Sequence, residues 1–195
     1  WHEQSPDTAA PLIYLGNIAT AEGAYQEAAQ YLDKASELEG AKNEVFYSRA
    51  KLLVAEGKKD NAISFVRAFI DKNPADVQAL ALWFALATEK GNAKDVIKHT
   101  QTQFNTNKTN LNLRLLLARM YSLNSQLDKT VSLLSDVEGN EASPQAFWNL
   151  KGQALIATNN VEDATAFFDR WLSFYPQDKN AVLGKLLIVD SQKQF

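Results

Sequence analysis

Apolar residues along this chain recur at spacings of three and four, as in Leu12, Leu15, Ile18 and Ala19, or in Val45, Phe46, Leu52 and Leu53. Such spacing gathers side chains on one face of an α-helix, whereas strands alternate, so the pattern predicts helices throughout. Two kinds of break interrupt it. A Gly, Ser or Asn follows about fourteen periodic residues, and a looser polar link, such as Asp71 to Asp76 with Pro74 or Tyr175 to Asp178 with Pro176, follows the next helix. Each unit therefore reads as a helical hairpin.

The hairpins repeat. Ala28, Ala62, Val96, Thr130 and Ala164 stand 34 residues apart in the second helices, and Gly16, Ala50, Phe84, Ala118, Gly152 and Leu186 keep the same step in the first. The turn residues Gly23, Gly57, Gly91, Ser125 and Asn159 also keep it, at the place where a helix ends on a residue tolerant of positive φ. One hairpin cannot bury its apolar face alone, so neighbours are expected to stack into a continuous core. The small residues at Gly16 with Ala28 and Gly152 with Ala164 fit a close crossing of the two helices.

These residues resemble the tetratricopeptide repeat (TPR). Leu12, Leu15, Gly16, Gly23, Tyr25, Ala28, Leu32 and Ala35 supply its pattern in the first unit, and Trp148, Gly152, Val161, Ala164, Phe168 and Pro176 in the fifth. The resemblance implies an all-α, right-handed superhelical α-solenoid of about five hairpins plus a terminal half-repeat. The boundaries it implies are 9–42, 43–76, 77–110, 111–144 and 145–178, with 1–8 as the tail of a preceding repeat and 179–195 as the first helix of a sixth repeat or a cap. Three units depart from the pattern. The third has Phe84 and Val96 at the crossing and polar Thr100, Gln103 and Lys108 beyond it, so its second helix, near Ala93 to Phe104, is expected to pack less well. The fourth has Arg114 at a bulky apolar position and Thr130 at the Ala position. The fifth has Trp171 where the family has a small residue, which requires a displaced following hairpin or a pocket.

At the ends, Trp1 and Pro6 lie five periods before Trp171 and Pro176, and Asn180 to Gln192 matches a first helix without its partner. Leu183, Leu186, Leu187 and Val189 give that helix more apolar surface than a polar cap would carry. The reading favoured is a window from a longer array; the other is a chance match and an ordinary capping helix.

Composition narrows function. Among 195 residues, 46% are hydrophobic and 22% charged, which excludes disordered and collagen-like chains. The net charge of -3, with no densely basic stretch, argues against nucleic acid as a partner. The absence of Cys removes disulfides, thiolate nucleophiles and cysteine metal sites. No apolar run approaches the roughly 20 residues of a membrane helix, so no membrane insertion is expected of this stretch. His2 and His99 lack a second ligand at helical spacing, no Gly-rich phosphate loop occurs, and the pairs Glu37 with Glu39, Asp136 with Glu138 and Glu162 with Asp163 read as solvated charges at helix ends. Asn107 to Thr109 fits a glycosylation acceptor, a pattern too short to carry weight. No catalytic, cofactor-binding or metal-binding residue is assigned, and the chain reads as non-enzymatic.

The resemblance implies that first helices line a concave surface on which a protein or peptide is held. Carried onto this sequence, the inward positions give Tyr14, Asn17, Tyr47, Lys51, Leu82, Leu115, Arg119, Asn149 and Gln153 as partner-binding candidates. The set of lysines, asparagines and arginine with which TPR co-chaperones grip a chaperone's terminal carboxylate is not repeated: Asn17 fits, while Ile13, Ser48, Gln78 and Leu82 fill the other places. Two further readings stay open, a structural spacer self-associating through exposed helix faces and a regulatory module of an enzyme elsewhere in the chain. The Gln- and Asn-rich links resemble those of large bacterial TPR proteins, among them envelope lipoproteins of exopolysaccharide export and protein sorting, which favours the periplasm or cell envelope over the cytoplasm.

Overall fold

The computed structural model describes residues 8–38 and 42–192. Among them are eleven α-helices and no strand: α1 Ala10–Ala21, α2 Tyr25–Ser36, α3 Lys42–Ala55, α4 Lys59–Ile70, α5 Val77–Glu89, α6 Lys94–Thr106, α7 Leu111–Leu123, α8 Leu127–Leu134, α9 Gln145–Ala157, α10 Val161–Phe174 and α11 Lys179–Gln192. The stretch around Trp1 and Pro6 expected to be a repeat tail lies outside the described residues. The chain divides into two compact units, Trp1–Lys90 and Gly91–Phe195. The division falls in the turn of the repeat whose crossing positions are Phe84 and Val96 rather than two small residues.

The hairpin turns follow from their residues. Gly23, Gly57, Gly91, Ser125 and Asn159 all have positive φ, between 53° and 79°, and among the described residues no others do. The residue after the turn then reaches back five positions: Ala24 N to Ala19 O, Lys58 N to Leu53 O, Gln126 N to Tyr121 O and Asn160 N to Leu155 O, at 2.8 to 3.1 Å. These bonds satisfy carbonyls that the helix end leaves open. The opposite links are set by a second series in the same step. Asp76 caps α5 by accepting from Ala79 N at 2.8 Å, Asn110 caps α7 by accepting from Leu113 N at 3.0 Å, and Asp178 accepts from Asn180 N and Ala181 N at 2.9 and 3.1 Å. Pro144 holds the equivalent place before α9 and supplies no side-chain cap.

Within the first unit, α1 and α2 close tightly because Gly16 carries no side chain: a Cβ there would lie 2.9 Å from the Leu32 side chain and 3.4 Å from Ala28 O. Leu12, Ala28, Leu32, Ala35 and Val45 form the core of this part, and Phe46 stacks on Phe65 and Phe69 beyond it. In the second unit the core is aromatic. Phe147, Trp148, Phe167, Phe168 and Trp171 are all buried, with Trp171 stacked on Trp148 and on Phe168 at 5.7 Å between ring centroids in each pair.

Several departures from the repeat pattern resolve physically. Trp171 is accommodated by space made elsewhere: a Cβ at Gly184 on α11 would overlap the Phe168 ring, and a Cβ at Gly139 would overlap the Trp148 indole. Arg114 fills its apolar place with its stem while its guanidinium lies 5.2 Å from the Phe104 ring, bonds Asp136 at 2.7 Å and donates to Lys108 O at 3.2 Å. Thr130 is fully buried, and its hydroxyl donates to Ala118 O at 3.2 Å across the crossing. The expectation of poor packing in the second helix of the third hairpin, 77–110, is not met in burial. α6 buries Val96, Ile97, Thr100 and Phe104, and the Thr100 hydroxyl is satisfied by Val96 O at 2.8 Å. One helix is shorter than the repeat predicts. α8 ends after 8 residues, whereas α10 runs for 14. The link that replaces its last turns carries Gly139, where Trp148 leaves no room for a side chain.

Candidate functional site

The nine residues singled out by sequence fall on first helices of two separate units, five in the first and four in the second. In the first, Tyr14 on α1 is 59% exposed and Asn17 half-buried. Tyr47 on α3 is half-buried and donates its hydroxyl to Asp76 Oδ1 at 2.8 Å, the same oxygen that caps α5. Burial first, then the hydrogen bond and charge of Asp76, raise the Tyr47 pKa well above the usual tyrosine range. This tyrosine therefore ties α3 to the start of α5 as well as showing an edge to solvent. Lys51 is exposed, and Leu82 on α5 is half-buried.

In the second unit, α7 packs on α9 and α9 on α11, so three first helices lie side by side. Arg119, Gln153 and Leu187 take equivalent positions on them, 34 residues apart, and all three are exposed. The neighbouring row is Leu115, Asn149 and Leu183. Leu115 is only 8% exposed and belongs to the core, Asn149 is half-buried and accepts from Asn180 Nδ2 at 3.1 Å, and Leu183 is 57% exposed. The leucines of α11 are thus part of this face, although they were not among the sequence candidates. Equal spacing from Arg119 and Leu115 was the signal that could have found them.

Arg119 differs from the other arginines. Of the five in the chain, Arg49, Arg114 and Arg170 form ion pairs and Arg67 lies over the Trp83 ring. Among the described residues Arg119 has no such partner. The face therefore presents, in order across three helices, an unpaired guanidinium, a pair of amides and a pair of exposed leucines. Guanidinium and amide groups bind carboxylates and peptide groups, and leucines bind apolar side chains. No group of three His, Cys, Asp or Glu suited to a metal ion occurs among the described residues, and none of their helices is long and apolar enough to cross a membrane.

Residues 131–179 match the tetratricopeptide repeat family model. No curated protein matches the chain significantly. Among solved structures, the chain is similar to YrrB, described as a TPR protein with an unusual peptide-binding site, at 16% identity and a TM-score of 0.54 over 94% of this chain and 95% of that one. It is similar to the thermophilic TPR protein TTC0263 of Thermus thermophilus at 15% identity and a TM-score of 0.56, over 93% and 99% of the two chains. It also resembles a chain of the APC/C hetero-tetramer Cut9-Hcn1 at 17% identity and a TM-score of 0.57, with 98% of this chain matching 38% of that one. Identities this low establish the fold, an α-solenoid of TPR hairpins.

Proposed function

We propose that the protein is a non-enzymatic interaction scaffold whose first-helix face, the concave face of a TPR array, holds a peptide or a partner domain. The observation that carries this is the exposed row of Arg119, Gln153 and Leu187, with Arg119 the one arginine lacking an intramolecular partner among the described residues. The solved TPR protein with a peptide-binding site supports the reading by likeness of fold. Neighbouring helix axes lie about 8–10 Å apart, which puts Arg119 roughly 20 Å from Leu187. An extended peptide would cover that span with about six residues and a helical one with about thirteen. The preferred ligand therefore carries a carboxylate and a leucine-like anchor at one of those two separations.

Panning a displayed peptide library against the whole chain tests this directly. Enrichment of acidic sequences with an apolar residue at either separation is expected, with binding lost in Arg119→Glu and in Leu187→Glu while circular dichroism stays helical. A library that yields no saturable binder, or binders indifferent to both substitutions in a folded protein, would overturn the proposal. A second reading draws on α11, where Val182, Leu186 and Val189 are exposed beside Leu183 and Leu187. So much apolar surface on one helix favours contact with another helix or a second copy, and sedimentation that stays monomeric at high concentration would set that reading aside. A bacterial cell-envelope setting, read from the style of the links, belongs to the proposal and is checked by fractionating the source cells.

A further inference from the structure

Away from the first-helix face, the second unit contains a cavity that the repeat pattern does not call for. Because α8 stops at Leu134, the link that follows covers α9 and α10 incompletely and leaves a space of about 410 Å³. Val131, Val137, Leu155 and Phe167 supply apolar walls, and Lys151 of α9 and Arg170 of α10 reach into it.

Neither cation has a close ion pair among the described residues, although three carboxylates lie near Lys151. Lys151 Nζ donates to Val137 O at 3.0 Å and, more weakly, to Ser135 O at 3.5 Å, and it lies 5.6 and 5.7 Å from the rings of Phe147 and Phe167. Burial lowers its pKa, an effect that the charges of Asp136, Asp163 and Glu138 oppose and that of Arg170 reinforces. Arg170 donates Nε to Gly139 O at 2.6 Å and pairs loosely with the exposed Glu138 at 3.6 Å. Asp163, also on the cavity, accepts from Asn160 Nδ2 at 2.8 Å. One N–H of the ammonium thus remains without a protein partner, while the guanidinium, exposed to solvent and 5.9 Å from the Phe174 ring, keeps N–H groups free for a ligand. A partly desolvated ammonium gains most from an anion that brings its own apolar body, since such a ligand neutralises the charge and keeps water out together.

We propose that this cavity binds a small organic carboxylate with an aryl or alkyl body, its anion on Lys151 and Arg170 and its body against Phe167 and Leu155. The volume lies in the lower part of the roughly 300–1,000 Å³ typical of ligand pockets, enough for a phenylalkanoate and too small for a folded partner.

The probe is 4-phenylbutyrate, titrated into the whole chain and followed by calorimetry and by saturation-transfer NMR on its ring protons. Saturable one-to-one binding is expected, about tenfold weaker in Lys151→Met, retained in Lys151→Arg and unchanged in the first-helix variant Arg119→Ala. Glu138→Gln, at an exposed carboxylate that competes for Arg170, is expected to tighten binding several-fold without endangering the fold. The neutral 4-phenylbutanol is expected to bind at least tenfold more weakly than the acid. Absence of saturation, equal binding of acid and alcohol, or affinity indifferent to both Lys151→Met and Glu138→Gln would overturn the assignment. Should Lys151→Met fail to fold, Glu138→Gln and the alcohol decide the matter alone.

Discussion

Leu32 and Ala35 in the first unit and Phe168 and Trp171 in the second occupy the same two places of the repeat, and all four are buried. The hairpin frame around them is equally similar, with Gly16 and Ala28 in one case and Gly152 and Ala164 in the other. A position can thus hold Ala or Trp while the beat of turns stays constant. The difference is absorbed by neighbours off the beat: Gly139 and Gly184 give up their side chains where Trp148 and Phe168 need room, and α8 gives up its last turns. In a stacked array each hairpin touches only its neighbours, so excess volume in one must be matched in the next.

The strongest way to break this comparison is to empty the large site. Trp171→Ala should lower unfolding free energy by about 3–5 kcal/mol, while Leu32→Ala should cost about 2–5 kcal/mol. Urea denaturation with hydrogen exchange would place the first loss in the α9 to α11 region and the second in α1 to α3. Overfilling should separate the units more sharply. Gly184→Ala drives a methyl into the Phe168 ring and should cost about 1–3 kcal/mol. Gly16→Ala meets the Leu32 side chain at 2.9 Å and Ala28 O at 3.4 Å, a lesser overlap than at Gly184, and the helix propensity gained, up to about 1 kcal/mol, should offset part of that contact. Equal losses in the two variants would contradict the idea that space in the second unit is made by particular glycines.

The turns offer a smaller probe. Ser125 has φ of 57° where the first unit uses glycine. Ser125→Gly is expected to stabilise by roughly 0.5–1 kcal/mol, read as a rise in urea midpoint, whereas Gly57→Ala should lose a similar amount.

The smallest expected effects lie at alkaline pH and have opposite signs in the two units. The raised pKa of Tyr47 means that the unfolded chain loses this proton first, near 10.0, so the tyrosine subtracts stability as pH climbs above that value. The lowered pKa of Lys151 means that the folded chain loses its proton first, so stability recovers as pH approaches 10.5. Tyr47→Phe should flatten the alkaline fall, and Lys151→Met should remove the recovery, both read from urea midpoints between neutral pH and 10.5.

The helices, the places of their turns and the fold were legible in the sequence because they depend on neighbours a few residues away. Three-and-four spacing defines the apolar faces, and a residue that accepts positive φ ends each first helix. The nine surface candidates were less legible. Leu115 and Asn149 share a repeat position, yet one is core and the other displayed, since cover depends on the size of residues from other helices. The same holds for Tyr47, whose hydroxyl is bound to Asp76, and for Leu183 and Leu187, left open on α11.

What the amino-acid order determined by itself was the local set of choices: which segments coil, where they stop, and the 34-residue beat at which they do so. Tertiary structure alone decided where Trp171 finds its room, why α8 is short, which arginine is left unpaired among the described residues and how a cavity forms around Lys151. Those outcomes turn on close packing between side chains far apart in the chain, where one ring's volume is another residue's missing Cβ, and no count of spacing along a single helix contains that quantity.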